Sequence, residues 1–472
     1  MTLAIPFDNS FARLDAGFYA RQAPAPVRAP QMRAFNDDLA RLLRIDPGEA
    51  REQALVFGGN LVPDGAEPLA QLYSGHQFGS YNPQLGDGRA VLLGEVVGTD
   101  GARRDIQLKG SGRTPFSRGG DGRAWLGPVL REYVVSEAMF ALGVPTTRAL
   151  AVVATGEDVI REGRLPGAVL TRVAASHLRV GSFQVFAARG ELTRLQALTD
   201  YAIARHYPGA DGAMGLLAAV RDAQAELVAG WMAFGFIHGV MNTDNCSISG
   251  ETIDYGPCAF MDEYQPDMVF SSIDHQGRYG YSNQPNIVVW NLAQLATALI
   301  QLSEDREAAL EQASEIVHAT PDLIDAAWMR RFRAKLGLSS AGRGDAGLIE
   351  DLLARMADAR ADFTNTFRGL ADGRAGDQFT DRAAFDGWAE GWQARCASEP
   401  DVAAVLNAAN PAFIPRNHRI EQMIEAAVLG DFAPFQRLSD VLARPFADQL
   451  DQEELKQPPK QDEVIHATFC GT

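Results

Sequence analysis

Cysteine is scarce in this chain, with four residues among 472, at Cys246, Cys258, Cys396 and Cys470. Four thiols cannot staple a chain of this length, no CxxC pair occurs, and Cys246, Cys258 and His238 do not show a zinc spacing. A disulfide scaffold and a structural zinc site are therefore set aside. The thiols read as reduced and the compartment as cytoplasmic, with Cys470 apart from the others as a candidate reactive or bridging thiol near the end of the sequence. Long apolar runs are also missing, which excludes a membrane-spanning helix. Met1 to Ala20 carries Asp8 and Asp15 and lacks a basic start or a continuous apolar run, so no secretory leader is expected. Positive charge is in deficit: 43 Lys and Arg stand against 60 Asp and Glu, a net charge of −17. That balance argues against nucleic acid and anionic membrane as partners, because both are held by excess Lys and Arg. No GxxxxGK[ST] phosphate loop and no internal repeat are found.

What is present is a globular composition, 46% hydrophobic and 22% charged, long enough for one large domain or two to three ordinary ones. Ala90 to Gly98 and Arg104 to Lys109 read as two strands around the turn Thr99-Asp100-Gly101. Pro128 starts a helix that runs to about Leu142 and stops at Gly143, with Pro145 beyond. A helical stretch is expected from Met32 to Leu43, strands from 149 to 173, helices from about 190, a long helix from Met214 to Phe236 and a tight hairpin from Cys246 to Asp254. A polar, glycine-rich break falls at Gly369 to Asp381. The order is α+β with two lobes: an extension over 1–50, a strand-rich lobe over 51–165 and a helical lobe over 166–472, with a ligand cleft between the lobes.

Two glycine clusters, Leu85-Gly86-Asp87-Gly88-Arg89 and Gly119-Gly120-Asp121-Gly122-Arg123, let backbone amides approach phosphate oxygens with an arginine at hand. Between 101 and 132 lie Arg103, Arg104, Lys109, Arg113, Arg118, Arg123 and Arg131 against Asp105, Asp121 and Glu132. In so acidic a chain this basic island points to phosphate binding. Lys109 ends a strand and Glu132 lies on the following helix, an arrangement similar to the lysine–glutamate pair of protein kinases; Glu137 competes as the partner. Further on, His238-Gly239-Val240-Met241-Asn242-Thr243-Asp244-Asn245 and Asp254-Tyr255-Gly256 keep the spacing with which kinases hold magnesium through an Asn and an Asp. The kinase base position is Val240, which accepts no proton, and Asp244 is the substitute. His238 reads as a structural histidine. Arg172 and Arg179 read by themselves as surface or ion-paired residues.

These motifs resemble the selenoprotein O (YdiU-like) family. Tyr73-Ser74-Gly75-His76-Gln77-Phe78-Gly79, Gln84 to Arg89, Leu108-Lys109-Gly110-Ser111-Gly112-Arg113-Thr114-Pro115, His238 to Asn245, Asp254-Tyr255-Gly256-Pro257 and Asn410-Pro411-Ala412-Phe413-Ile414-Pro415-Arg416-Asn417-His418-Arg419 carry the likeness, as does Phe7-Asp8-Asn9-Ser10-Phe11. The resemblance implies a protein-kinase-like fold that transfers AMP from ATP, or UMP from UTP, to protein hydroxyls, with the nucleotide inverted so that the α-phosphate meets the acceptor. It further implies nucleotide contacts from Gly86, Gly88, Arg89, Lys109, Asp121, Gly122, Arg172 and Arg179, a Lys109–Glu132 pair, Asp244 as general base, and Mg²⁺ or Mn²⁺ on Asn245 and Asp254. Cys470 matches the family's C-terminal redox residue, and Cys258 is the one cysteine in the loop after Asp254. The expectation is thus a monomeric, metal-dependent protein adenylyltransferase acting on Ser, Thr or Tyr of a partner protein. A phosphate-transferring kinase and an inert nucleotide-binding scaffold are the alternatives.

Overall fold

The computed structural model describes residues 3–469, which leaves Cys470 outside. Its strands are Tyr19–Arg21 (β1), Gln31–Phe35 (β2), Leu69–Gln71 (β3), Gly75–Gln77 (β4), Ser80–Asn82 (β5), Ala90–Val97 (β6), Arg103–Lys109 (β7), Ala124–Trp125 (β8), Arg148–Ile160 (β9), Arg164–Ala174 (β10), Phe236–Ile237 (β11) and Ala259–Phe260 (β12). Eight of them form an antiparallel sheet in the order β1-β3-β6-β7-β10-β9-β2, with β8 pairing β10. The β6–β7 turn closes where expected, with the Gly98 amide donating to the Ala102 carbonyl at 2.9 Å.

Strand alternation sorts the side chains. Along β7, Ile106 and Leu108 face an apolar cluster with Leu39, Leu43 and Phe57, so Asp105, Gln107 and Lys109 point the other way. Along β10, Val169 and Val173 join the same cluster, while Leu170 belongs to the core on the opposite face. Across that opposite face lies the helix Leu126–Ala141, capped at Leu142 and followed by Gly143. Pro128 is inside its first turn, where the missing N–H removes no helical bond.

Two local readings are corrected. Residues 32–43 do not form one helix: Gln31–Phe35 pairs with β9, and only Asp37–Leu42 is helical. Asn36 makes the break, its side chain accepting the Leu39 amide at 3.0 Å as an N-cap. The Cys246–Asp254 segment is not a hairpin either. Ser247 bridges to Arg179 and Thr252 to Thr146, so its ends pair outward with neighbouring segments.

The remaining chain is helical, including Val180–Arg189, Gly212–Ala233, Gln284–Leu299, Thr320–Lys335, Phe363–Gly369 and Asn417–Val428. The break at 369–381 holds one short 3₁₀ turn, Ala375–Gln378. The largest core runs from Phe11 through Leu130, Phe183 and Trp231 to Met423 and joins one sheet face to the central helices and to Asn417–Val428, while Phe332, Leu352, Phe363 and Trp388 belong to a second helical core. The tail returns to the middle of the chain: Thr468 bridges to Ser271, and its hydroxyl donates to the Pro257 carbonyl at 2.6 Å.

Candidate active site

A cavity of about 470 Å³ opens where the central strands β6, β7 and β10, the start of the Leu126–Ala141 helix and the loops at 240–257 meet. Lys109, at the end of β7, reaches into it. Its ammonium donates to Glu132 at 2.6 Å and to Asp254 at 2.7 Å. Glu137 is elsewhere, accepting from Arg148 at 2.8 and 2.7 Å and from the Ala149 amide. The helix therefore aims Glu132, one and a half turns earlier, at the lysine.

Asp254 is the hub. It lies outside any helix or strand at φ +65°, a left-handed conformation that costs an aspartate energy and is held by its surroundings. Arg172 donates to its Oδ1 at 2.7 Å and Arg179 to its Oδ2 at 3.2 Å. Both arginines are buried rather than on the surface, at 2% and 3% exposure. Burial opposes ionisation of Asp254, but Lys109, Arg172 and Arg179 outweigh it and hold the carboxyl well below the usual range.

Asp244 sits on a single 3₁₀ turn, Thr243–Asn245. The β4–β5 hairpin lies directly against it. Gln77 donates to Asp244 Oδ2 at 3.2 Å, the His76 amide to the Thr243 hydroxyl at 2.7 Å, and the Phe78 amide to Asn242 at 3.1 Å. Gly75 permits that contact, because a Cβ there would fall 2.9 Å from Asp244 Oδ1. Asp244 is buried, and Oδ1 has no hydrogen-bond partner among the described residues. Burial pushes its carboxyl up to about 6, with Arg179 and Gln77 partly offsetting the shift. His238 is structural: buried, held neutral by burial, with Nε2 donating to the Ile253 carbonyl at 2.9 Å and Nδ1 accepting the Val240 amide at 3.4 Å.

The donor set suits a hard divalent cation. Asn245 spends its amide nitrogen on the Val240 carbonyl at 3.0 Å, which leaves its oxygen unpartnered among the described residues. Asp254 lines the same cavity and is ionised, so one amide oxygen and one carboxylate are available as hard donors. Oxygen donors of this kind match Mg²⁺ or Mn²⁺, and substrate phosphates usually complete such a shell. Among the described residues no cluster of three or more His, Cys, Asp or Glu forms a metal cage of its own.

Gly86, Gly88, Arg89, Asp121 and Gly122 all line the cavity. Gly122 is at φ +68°, and a Cβ would fall 2.2 Å from the Gly112 carbonyl oxygen, so the two loops close only around glycine. Asp121 is exposed and tied to Arg161 at 2.9 and 3.1 Å. The basic island, by contrast, disperses. Arg103 goes to Asp8 and Glu95, Arg104 to Asp100 and Arg131 to Glu421, while Arg113 is exposed away from the cavity. Lys109, Arg118 and Arg123 remain at the cleft, joined by Arg89, Arg161, Arg172 and Arg179 from outside the island.

Reading the residues alone missed Gln77, Asn242 and the buried Asp87. A signal existed for the first: Gly75 to Tyr81 has Phe78-Gly79 at its centre, a two-residue turn with both residues at positive φ. Cys258 is buried and has no disulfide partner among the described residues, and burial pushes its thiol up to about 12.

Among the described residues no helix is long and apolar enough to cross a membrane. The family model for "Protein adenylyltransferase SelO" matches residues 1–443. Relatives described as "Protein nucleotidyltransferase YdiU" are similar over the full length of both chains: one from Ruegeria pomeroyi at 72% identity, one from Roseobacter denitrificans at 64% and one from Bradyrhizobium diazoefficiens at 57%.

Proposed function

This chain belongs to the protein adenylyltransferase SelO family, and from that membership and the cleft we propose that it moves AMP from ATP onto a Ser, Thr or Tyr hydroxyl of a partner protein. The hydroxyl gives its proton to Asp244 Oδ1 and its oxygen attacks the α-phosphorus. The bond between that phosphorus and the bridging oxygen to the β-phosphate breaks, and pyrophosphate leaves. The observation that carries this is the buried, unpartnered oxygen of Asp244 beside a carboxylate gripped by three cations. A carboxyl raised toward neutrality by burial is a stronger base than a solvated one.

Lys109, Arg172 and Arg179 are placed to take phosphate oxygens and to stabilise charge as the bond breaks, with Glu132 keeping Lys109 in line. Gly86, Gly88, Arg89, Asp121 and Gly122 form the opposite wall for the nucleotide. Asn245 and Asp254 would hold Mg²⁺ or Mn²⁺, which neutralises phosphate charge when bound. UTP is the second candidate donor. The strand-rich and helical parts we read as the two lobes of a protein-kinase-like fold, bounded at 51–165 and 166–472 with the extension at 1–50, in a cytoplasmic monomer.

The test is incubation of the protein and candidate acceptors with ATP labelled at the α or the γ position. Transfer of α label, with a gain of one AMP in the intact mass, is expected. Transfer of γ label alone identifies phosphate transfer instead, and binding without either label identifies an inert scaffold. Asp244→Asn is expected to retain ATP binding and to lose transfer by roughly a hundredfold or more.

A further inference from the structure

Three cations, Lys109, Arg172 and Arg179, converge at the cleft, yet among the described residues only two carboxylates, Glu132 and Asp254, touch them within hydrogen-bond distance. The third negative charge is Asp87, inside the first glycine cluster and 2% exposed. Its Oδ2 accepts the Gln71 amide and Gln107 Nε2, each at 3.1 Å. That contact turns Gln107 so that its oxygen accepts Arg172 Nη2 at 2.7 Å, directly across the β7–β10 pair. The other oxygen, Oδ1, lies 3.9 Å from Arg179 Nη2, and Arg179 is stacked over the Tyr73 ring at 4.6 Å. One carboxylate therefore reaches both arginines, one through a glutamine and one through space.

We propose that Asp87 is a positioning residue: it holds Arg172 through Gln107, and Arg179 directly, in the orientation that receives the nucleotide phosphates. The inference rests on the reading of the cleft as a nucleotide site. Asp254 is partly open to the cavity, its side chain 21% exposed, whereas that of Asp87 is 1% exposed. When the nucleotide complex engages Asp254, Asp87 is the counter-charge that stays behind the arginines. Without it, two guanidinium groups would be left buried with reduced compensation, an arrangement that low-dielectric surroundings penalise. Gly86 and Gly88 serve the same end, because a Cβ at either would collide with Phe116 and displace the turn that carries Asp87.

The experiment is ATP binding to the full chain, measured by calorimetry with and without Mg²⁺, so that it needs no acceptor protein. Asp87→Asn keeps the side-chain shape and is expected to weaken ATP by roughly tenfold or more. The double variant Asp87→Asn with Gln107→Glu restores the charge one link along, in contact with Arg172, and is expected to recover much of the loss. Gln107→Leu, which cuts the link but leaves Asp87 in place, covers the case in which Asp87→Asn does not fold, and its ATP affinity is expected to fall as well. Wild-type ATP affinity in Asp87→Asn overturns the proposal. So does a double variant no better than the single one, since a shape-only role would not respond to charge. A wild-type chain that binds ATP but transfers no label refutes the proposed reaction while leaving this inference standing.

Discussion

Among single residues, the Lys109 pairing shows what spacing can and cannot say. Glu132 and Glu137 both lie on the helix after the strand lysine, and helical periodicity does not choose between them. Arg148 and the Ala149 amide do, by taking Glu137. Lys109→Met is expected to leave Glu132 buried against Arg172 alone and to lower transfer by roughly a hundredfold with little change in fold, as followed by label incorporation and circular dichroism. A second lysine makes a pH prediction. Lys335 is 2% exposed, donates to Asn410 at 2.9 Å, has the Phe367 ring 4.3 Å away, and is pushed down to about 7 by burial from an ordinary value of 10.5. The unfolded chain therefore holds one more proton than the fold between those values, so this residue's penalty on stability is full below pH 7 and fades as pH rises above it. Lys335→Met removes the penalty. Its gain in unfolding free energy over wild type is expected to be largest near neutral pH and to shrink toward pH 10, as measured by urea titration across that range. The dispersal of the basic island has a related cause. Arg103 and Arg131 find partners at Asp8 and Glu421, far away in sequence, and no local window contains that information.

Elements were legible where local chemistry and tertiary pairing agree. The β6–β7 hairpin has its turn residues, and the Leu126–Ala141 helix has its Pro and Gly punctuation; both lie within two residues of expectation. The stretch Met32 to Leu43 misled because its apolar residues fit a helix while β9 offers an open edge and Asn36 a cap. The β4–β5 hairpin matters most to the site. Gly75→Ala places a methyl group against Asp244 Oδ1, so the carboxylate must swing away. The expected result is a large loss of transfer with ATP affinity near wild type, since Gly75 is not among the residues lining the cavity. ATP affinity falling in step with transfer would instead mean that the whole cleft had moved.

At the scale of the molecule, the residues that line the candidate site come from β7, β10, the Leu126–Ala141 helix and loops near 87, 179, 244 and 254, so the site exists only when distant segments are packed. The C-terminal motif at 410–419 contributes by bracing. Arg416, 1% exposed, is bidentate to Asp362 at 2.8 and 3.2 Å and also bonds Asp262, two residues beyond β12. Arg416→Met would strand two carboxylates and is expected to cost about 3 kcal/mol of stability, seen as a lower melting temperature, before any direct effect on chemistry. The anchoring of Thr468 to the Pro257 carbonyl has a practical corollary. Pro257 borders the cavity, so a substitution that cuts this bond, such as Thr468→Val, would loosen one wall of the cleft without touching a residue that lines it.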